Sequence, residues 1–318
     1  MIPFRSASRA ERGDPEEGDA LMATAQATRP QLSDEQLTDI LALAEGSDSV
    51  ELKLSINDAD RRATINALGL DPLQCQIRQV YFFDTPDLKV SKAGVVVRAR
   101  RVQGRGDDST IKLRPVRPEE LTPELRATPG FKVEVDAMPG SYVCSGSMSA
   151  ALGKDDVRPV VAKTRPIRKL FSKAQRAYYA THAPAGIDLD DLSVLGPLFV
   201  LKTKFTPERF GRPMVAEFWL YPDGTAMLEL STKCLPNQAF QTAVEARASL
   251  LRHGVKTSGE QNTKTRKALD VYSARLLAES AAAAKAATAA KAAASRRRRS
   301  TAAKAPALKR RRPTTAAR

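Results

Sequence analysis

Residues 96–100 read Val-Val-Arg-Ala-Arg, a short stretch in which charged and apolar side chains alternate. Successive side chains of a β-strand point to opposite faces of the sheet, so this stretch predicts a strand with Arg98 beside Arg100 on one face. An ordinary exposed sheet face mixes Ser, Thr, Gln, Glu and Lys. A strand with two neighbouring guanidinium groups on one face favours contact with an anion instead.

The same alternation recurs along the chain, in residues 49–54, 110–114, 132–136 and 200–204. A single charged pair, such as Lys112 with Arg114, is compatible with a solvated sheet face. Five such strands require that coincidence five times, which favours a common lumen. Most of the paired side chains are cations and a few are carboxylates. The pattern therefore predicts the lumen of a barrel that holds a polyanion and its metal.

The elements around these stretches predict an α+β chain built on a closed, eight-stranded antiparallel β-barrel with peripheral helices. Turn signals, such as the Tyr-Pro-Asp-Gly of residues 221–224, separate many of the strands. The predicted strands are 49–56, 78–84, 94–102, 109–114, 131–137, 198–205, 214–221 and 226–233. The predicted helices are 34–44, 58–68, 172–182, 236–252 and 263–279, and residues 141–182 as a whole are expected to be largely helical and irregular.

The net charge of +15 is unevenly spread over the 318 residues. Residues 280–318 hold 12 Lys/Arg and no acid, which leaves 39 Lys/Arg against 36 Asp/Glu, or +3, in the rest. We predict a disordered segment at 1–31, a barrel domain with C-terminal helices at 32–279, and a disordered Ala/Lys/Arg-rich basic tail at 280–318. The tail is either an expendable solvating extension or a non-specific, salt-dependent contact to nucleic acid or polyphosphate.

The sequence lacks the residues that several functional classes would need. Three well-separated cysteines without a CxxC motif indicate isolated reduced thiols, and two histidines offer little to a zinc site or a hydrolytic triad. No apolar run approaches the roughly 20 residues that span a bilayer, and residues 1–30 lack the apolar stretch of a signal peptide. The expectation is a soluble, cytoplasmic protein without a membrane partner.

With these motifs, the chain resembles the CYTH superfamily, the triphosphate tunnel metalloenzymes, over residues 49–235. The family has an N-terminal E-x-E-x-K strand, and later strands place R-x-R, K-x-K/R and carboxylate pairs inside an antiparallel tunnel. The matching positions are Glu51 and Lys53, Asp84-Thr85 with Leu88, Gly94, Arg98-Ala99-Arg100, Lys112-Leu113-Arg114, Glu134-Val135-Asp136, Glu217, Asp223-Gly224 and Glu229.

The resemblance implies a triphosphate substrate and a divalent cofactor, Mg²⁺ or Mn²⁺. Arginine offers bidentate donors to phosphoryl oxygens, lysine a compact charge, and carboxylates hold a hard cation. Lys53 would orient the nucleophilic water or bind phosphate. The implied phosphate-binding residues are Arg98, Arg100, Lys112, Arg114, Lys202 and Lys204, and the implied metal ligands are Glu51, Glu134, Glu217 and Glu229.

Two positions depart from the family pattern. Ser49 stands where the opening motif begins with Glu, and Ser231 stands where the closing E-x-E has its second acid. A neutral hydroxyl is a poorer ligand than carboxylate for a hard cation. Asp136 would compensate only if its strand register brings it to the site.

These observations leave three hypotheses for the function. The first is a metal-dependent hydrolase of tripolyphosphate, a nucleoside triphosphate or thiamine triphosphate. The second, favoured by Ser49 and Ser231, is a non-catalytic module that binds polyphosphate or phosphorylated ends. The third is an adenylate cyclase, for which the sequence has no recognisable adenine-reading motif.

Overall fold

A β-barrel forms the centre of the computed structural model, which describes residues 42–257 and 264–303. Nine strands of the described chain close in the order β1-β5-β6-β4-β3-β2-β7-β8-β9, and β9 pairs with β1. The strands are β1 (Ser49–Ile56), β2 (Gln76–Asp84), β3 (Val95–Val102), β4 (Asp108–Leu113), β5 (Phe131–Met138), β6 (Ser141–Ala151), β7 (Ser193–Phe205), β8 (Met214–Leu220) and β9 (Ala226–Cys234).

Helices surround this barrel and connect its strands. They are α1 (Asp58–Ala67), α2 (Lys89–Lys92), α3 (Pro123–Arg126), α4 (Val157–Val161), α5 (Lys173–His182), α6 (Ala239–Arg252) and α7 (Lys264–Ala303). Short 3₁₀ turns lie at Pro72–Gln74, Pro118–Glu120, Ile167–Leu170, Leu189–Asp191 and Pro236–Gln238. No helix of the described ranges is both long and apolar enough to cross a membrane.

The α+β class and the closed barrel are confirmed, but the predicted eight strands and wholly antiparallel pairing are wrong. The additional strand is β6, which lies in the segment expected to be largely helical and irregular. An odd number of strands cannot alternate in direction all the way around a closed ring, so at least one neighbouring pair must be parallel. That pair is β1 with β5, in which Ser49 lies opposite Glu134 and Glu51 lies opposite Asp136.

The barrel wall has the inside and outside polarity that the alternation predicts. Apolar residues of β1, such as Val50, Leu54 and Ile56, are buried, whereas Glu51 and Lys53 between them line the interior cavity. Outside the wall, helices cover these apolar side chains. The hydrophobic core therefore lies between the barrel and its helices, and the lumen is left to polar groups.

Helix α7 packs against the barrel in a different way, because it contacts side chains that also line the lumen. Ala268, Leu269 and Tyr272 belong to one buried cluster with Val80, Val200 and Trp219 of β2, β7 and β8, three residues that line the cavity. The first residues of the helix, Lys264 and Thr265, line the cavity themselves. Helix α7 thus closes part of the lumen.

Helix α7 continues past residue 280, where the sequence analysis places the start of a disordered tail. The reason lies in its composition: residues 281–293 are almost entirely alanine, which has the highest helix propensity, and they are solvent-exposed. The predicted N-terminal segment 1–31, most of the predicted helix 34–44, and residues 304–318 lie outside the described ranges.

Gln175 joins α5 to two strands of the barrel. Its side chain is fully buried, and its Nε2 donates to the carbonyls of Ser109 in β4 (3.2 Å) and Met148 in β6 (3.0 Å). Its Oε1 accepts from the backbone N–H of Ser172 (2.9 Å), which completes a capping box. This amide therefore fixes the helix that covers the added strand.

We expect Gln175→Met to lower the free energy of unfolding by roughly 2–4 kcal/mol, because it leaves buried backbone carbonyls without a donor. Urea unfolding followed by circular dichroism measures the change. The control is Gln241→Met on the exposed face of α6, where we expect a change within about 0.5 kcal/mol. Equal effects of the two substitutions would show that the buried amide does not stabilise this contact.

Candidate functional site

The barrel encloses a cavity of about 470 Å³ whose lining is unusually rich in charge. Alternate residues of the strands supply most of the lining, and α7 supplies the remainder. The charged lining residues comprise ten cations and five carboxylates. The cations are Lys53, Arg78, Arg98, Arg100, Lys112, Arg114, Lys132, Lys202, Lys233 and Lys264, and the carboxylates are Glu51, Glu134, Asp136, Glu217 and Glu229.

Asp136 is the centre of one charge network. Only 1% of its side chain is exposed, and its carboxylate lies 2.8 Å from the Lys53 ammonium, 3.1 Å from Lys112 and 3.4 Å from the Arg114 guanidinium. Burial alone would raise the pKa of Asp136, but the charges of Lys112 and Lys53 lower it overall. Asp136 is therefore an ionised counter-charge for three cations.

Lys53 lies between two carboxylates of this network. Besides Asp136, its ammonium approaches Glu51 at 3.4 Å. Burial opposes its charge, but Glu51 and Asp136 together raise the pKa of Lys53 above its usual value. Lys53 therefore stays protonated at neutral pH and acts as a hydrogen-bond donor, not as a general base.

The arginines on the β2–β3 side of the lumen have fewer partners. Arg100 pairs with Asp108 at 2.7 Å, and Arg78 donates to the side chain of Gln76. The Nε of Arg98 is shielded from solvent and has no hydrogen-bond partner in the described part of the chain. Burial, reinforced by the neighbouring Arg100, lowers the pKa of Arg98 to about 10. A buried cation without a partner is a candidate ligand for an incoming anion.

A second network forms where β8 and β9 bring Glu217 opposite Glu229. The ammonium of Lys264, at the start of α7, lies 2.5 Å from Oε2 of Glu217 and 2.6 Å from Oε1 of Glu229. Glu217 also accepts from Lys202 (3.0 Å) and from the indole N–H of Trp219 (3.2 Å).

Electrostatics reinforces this second network. Burial would raise the pKa of Glu217, but Lys264 and Lys202 hold it well below its usual value. Burial would lower the pKa of Lys264, but Glu217 and Glu229 raise it overall. Both ends of this contact are therefore charged at neutral pH.

The structure places nearly all the predicted site residues in this cavity. Lys53, the four glutamates, Arg98, Arg100, Lys112, Arg114 and Lys202 line it, whereas Lys204 is exposed and is not among the lining residues. Neither the charge alternation nor the resemblance identified Arg78, Lys132, Lys233 or Lys264 as site residues. The first three occupy alternate positions of predicted strands and could have been found from that spacing. Lys264 reaches the lumen only because α7 docks there.

The implied metal ligands do not form a divalent-cation site. The Glu134 carboxylate lies 2.5 Å from Lys233 and accepts from the Ser49 hydroxyl at 3.5 Å. Glu134 pairs opposite Ser49, whereas Glu229 pairs opposite Ser55, six residues further along β1. Ser231 faces Lys53 across the β1–β9 pairing. Residues 42–257 and 264–303 contain no group of three or more His, Cys, Asp or Glu that could hold a metal ion. The donor set thus does not fit the magnesium or manganese site that the resemblance implies.

A closed barrel with alternating cations and carboxylates in its lumen is the architecture expected from the CYTH resemblance, and the chain resembles that superfamily in both respects. No family model matches the chain, and no curated protein matches it. Some solved structures are similar in fold.

One is a "putative adenylate cyclase" from Bacillus halodurans, 13% identical, with 69% of this chain and 97% of that chain covered and a TM-score of 0.48. Another is a "putative adenylyl cyclase" from Hippeastrum, described as having a dominant triphosphatase activity. It is 14% identical, with 67% of this chain and 91% of that chain covered and a TM-score of 0.46. Identities and scores this low assign this chain neither an activity nor a substrate.

We expect Asp136→Asn to lower the free energy of unfolding by about 3–5 kcal/mol at pH 7, because it leaves buried cations without their counter-charge. The pKa of Asp136 is lowered in the folded state, so its contribution is present above the unfolded pKa of about 3.9 and is lost as the pH falls below that value. Urea unfolding between pH 3 and pH 7 measures the difference.

The matched control is Asp58→Asn, which removes an exposed ion pair with Arg61 (2.7 Å) and should change stability by less than about 1 kcal/mol. A penalty for Asp136→Asn that equals the control, or that does not shrink at low pH, would contradict the assigned network.

Proposed function

We propose that this protein binds the triphosphate group of a small molecule, or the end of a polyphosphate chain, inside the barrel. The observation that carries the proposal is the excess of ten cations over five carboxylates around one cavity of about 470 Å³. Like charges held close together in a shielded space repel one another, and a polyanion relieves that repulsion. Such a lumen selects a compact, multiply charged anion over a neutral ligand.

The cations that lack a carboxylate partner are the best candidates for direct phosphate contact. Among the described residues, Arg78, Arg98 and Lys132 form no ion pair, although all three line the cavity. A guanidinium group donates two parallel hydrogen bonds to phosphoryl oxygens, which gives geometric selectivity as well as charge. Arg98, with its buried and unpartnered Nε, is the central member of this set.

Hydrolysis of the bound triphosphate is the second candidate function, and the position of Lys53 favours it. A protonated lysine between Glu51 and Asp136 can donate to a water or to a phosphoryl oxygen. Glu51 itself is a weak base, because Lys53 and Lys233 outweigh the effect of burial and lower its pKa. The same residues therefore support binding more directly than they support turnover.

We expect Arg98→Ala to weaken tripolyphosphate binding by roughly 10- to 100-fold, the equivalent of about one charge-assisted hydrogen bond. Isothermal titration calorimetry on the full chain, in buffer containing EDTA, measures the affinity. Lys204→Ala is the matched control, because it removes an exposed cation from the adjoining wall and leaves the lining intact. The basic C-terminal residues are the same in both variants, so their contribution cancels. Equal affinities would refute the placement of phosphate at Arg98.

Phosphate release separates the two candidate functions. With tripolyphosphate, ATP and thiamine triphosphate as substrates, we expect bound ligand without phosphate release, both in EDTA and with added Mg²⁺ or Mn²⁺. Lys53 is held protonated, and the pKa values of Glu51, Asp136 and Glu217 are lowered, so none of these four groups is a good base. Release above background that Lys53→Met abolishes, while tripolyphosphate is still bound, would establish the hydrolase instead.

A further inference from the structure

The cation between Glu217 and Glu229 belongs to the protein itself. The motifs of the resemblance end at Glu229, whereas Lys264 comes from a helix outside the barrel wall. We propose that the Lys264 ammonium is the resident cation of the Glu217–Glu229 pair and excludes divalent metal ions from it, so that the lumen binds its anion without a metal. The exclusion of metal stands on this geometry alone, whereas the statement about the anion rests on the proposed function.

The two carboxylates of the pair are close together and shielded from solvent. Glu217 and Glu229 lie opposite each other on neighbouring strands and are only 12% and 3% exposed. Two carboxylates so close together and so shielded stay ionised together only when a cation lies between them. The ammonium of Lys264 contacts one oxygen of each, at 2.5 and 2.6 Å, and so occupies the position that a bridging metal ion would require.

Contacts of Lys264 and the packing of α7 hold the ammonium in place. The carbonyl of Lys264 accepts from the Tyr221 hydroxyl (3.3 Å), and its ammonium lies 4.9 Å from the centre of the Trp219 ring. One turn further on, Ala268 and Leu269 are buried against the barrel, as is Tyr272. The helix thus positions the cation before any ligand arrives.

A metal ion in solution must compete with the Lys264 ammonium for the two glutamates. A tethered charge has a high effective concentration at its partner, and a divalent cation would have to displace it and also lose water. Ser231, two residues from Glu229 on the same face of β9, offers only a neutral hydroxyl, and Glu51 lies against Lys53. The pair therefore offers a metal ion too few free oxygens.

The test is titration of the metal-free full chain with Mn²⁺, followed by electron paramagnetic resonance of the free ion. We expect no stoichiometric site in the wild type. Lys264→Met keeps the length of the side chain and removes its charge. We expect this variant to have one Mn²⁺ site, with an affinity at least tenfold higher than that of the wild type for Mn²⁺. Adding Glu217→Gln to that variant should abolish the site.

Two controls keep the test decisive. Lys267→Met removes a cation of the same helix that stacks on Tyr221 at 4.6 Å and touches neither glutamate, so it should create no site. Lys264→Arg keeps the charge and should also create none. Stoichiometric Mn²⁺ binding by the wild type that Glu217→Gln removes would overturn the inference, even if Lys264→Met failed to fold. A folded Lys264→Met variant without a new site would overturn it as well.

Tripolyphosphate titrations in EDTA distinguish this inference from the proposed function. If Mn²⁺ behaves as expected and tripolyphosphate does not bind, the exclusion of metal stands and the proposed function fails. If the wild type binds Mn²⁺ at Glu217 and also binds tripolyphosphate, the proposed function stands and the inference about Lys264 fails.

Discussion

Closure of the sheet is the constraint on which the rest of the structure depends. A closed barrel leaves no free strand edge, and every second side chain of each strand must enter the lumen. In this chain those side chains are mostly charged, whereas their neighbours are apolar and pack under helices. The usual arrangement of a small barrel, with an apolar interior, is therefore inverted. The charges cannot turn away from one another, so the barrel must neutralise them internally or bind something that does.

Internal neutralisation is incomplete, and the two sides of the lumen differ. On the β1–β5 side, Asp136 compensates Lys53 and Lys112 within 3.1 Å. On the β2–β3 side, Arg98 and Arg78 have no carboxylate of their own among the described residues. An anion that binds only the folded barrel adds stability in proportion to the logarithm of its concentration. Under the proposed function, the same unpaired cations that weaken the empty barrel would be the source of its affinity.

The sequence predicted most of this wall because the alternation of charge is a local property. Strands such as 96–100 show it directly, and the positions of Lys53 and Arg98 in the lumen follow from strand periodicity. Glu217 was assigned through the CYTH resemblance, because its strand shows no charge alternation. Strand β6 escaped prediction because its lumen face carries Ser145, Ser147 and Ser149, which give no charge signal and also occur in loops. The alternation of these serines with Cys144 and Met148 was the one signal available.

Lys264 could not be predicted, because its role depends on tertiary packing. In the sequence it is one lysine near another at the start of a helix, and only the burial of Tyr272 and its neighbours against the barrel brings it to Glu217.

The charge balance of the two networks explains why serines at positions 49 and 231 are compatible with this fold. With Lys264 placed between Glu217 and Glu229, a carboxylate at position 231, two residues from Glu229 on β9, would not be needed to hold a cation there. Ser49 lies further along β1, opposite Glu134, which already pairs with Lys233. The absence of carboxylates at positions 49 and 231 leaves the lumen with its excess of positive charge. A metal ion bound by carboxylates contributes charge that depends on its supply, whereas a lysine anchored by a packed helix contributes charge whenever the helix is docked. If the lumen binds an anion as proposed, its affinity would be linked to the packing of α7 rather than to a dissolved cofactor.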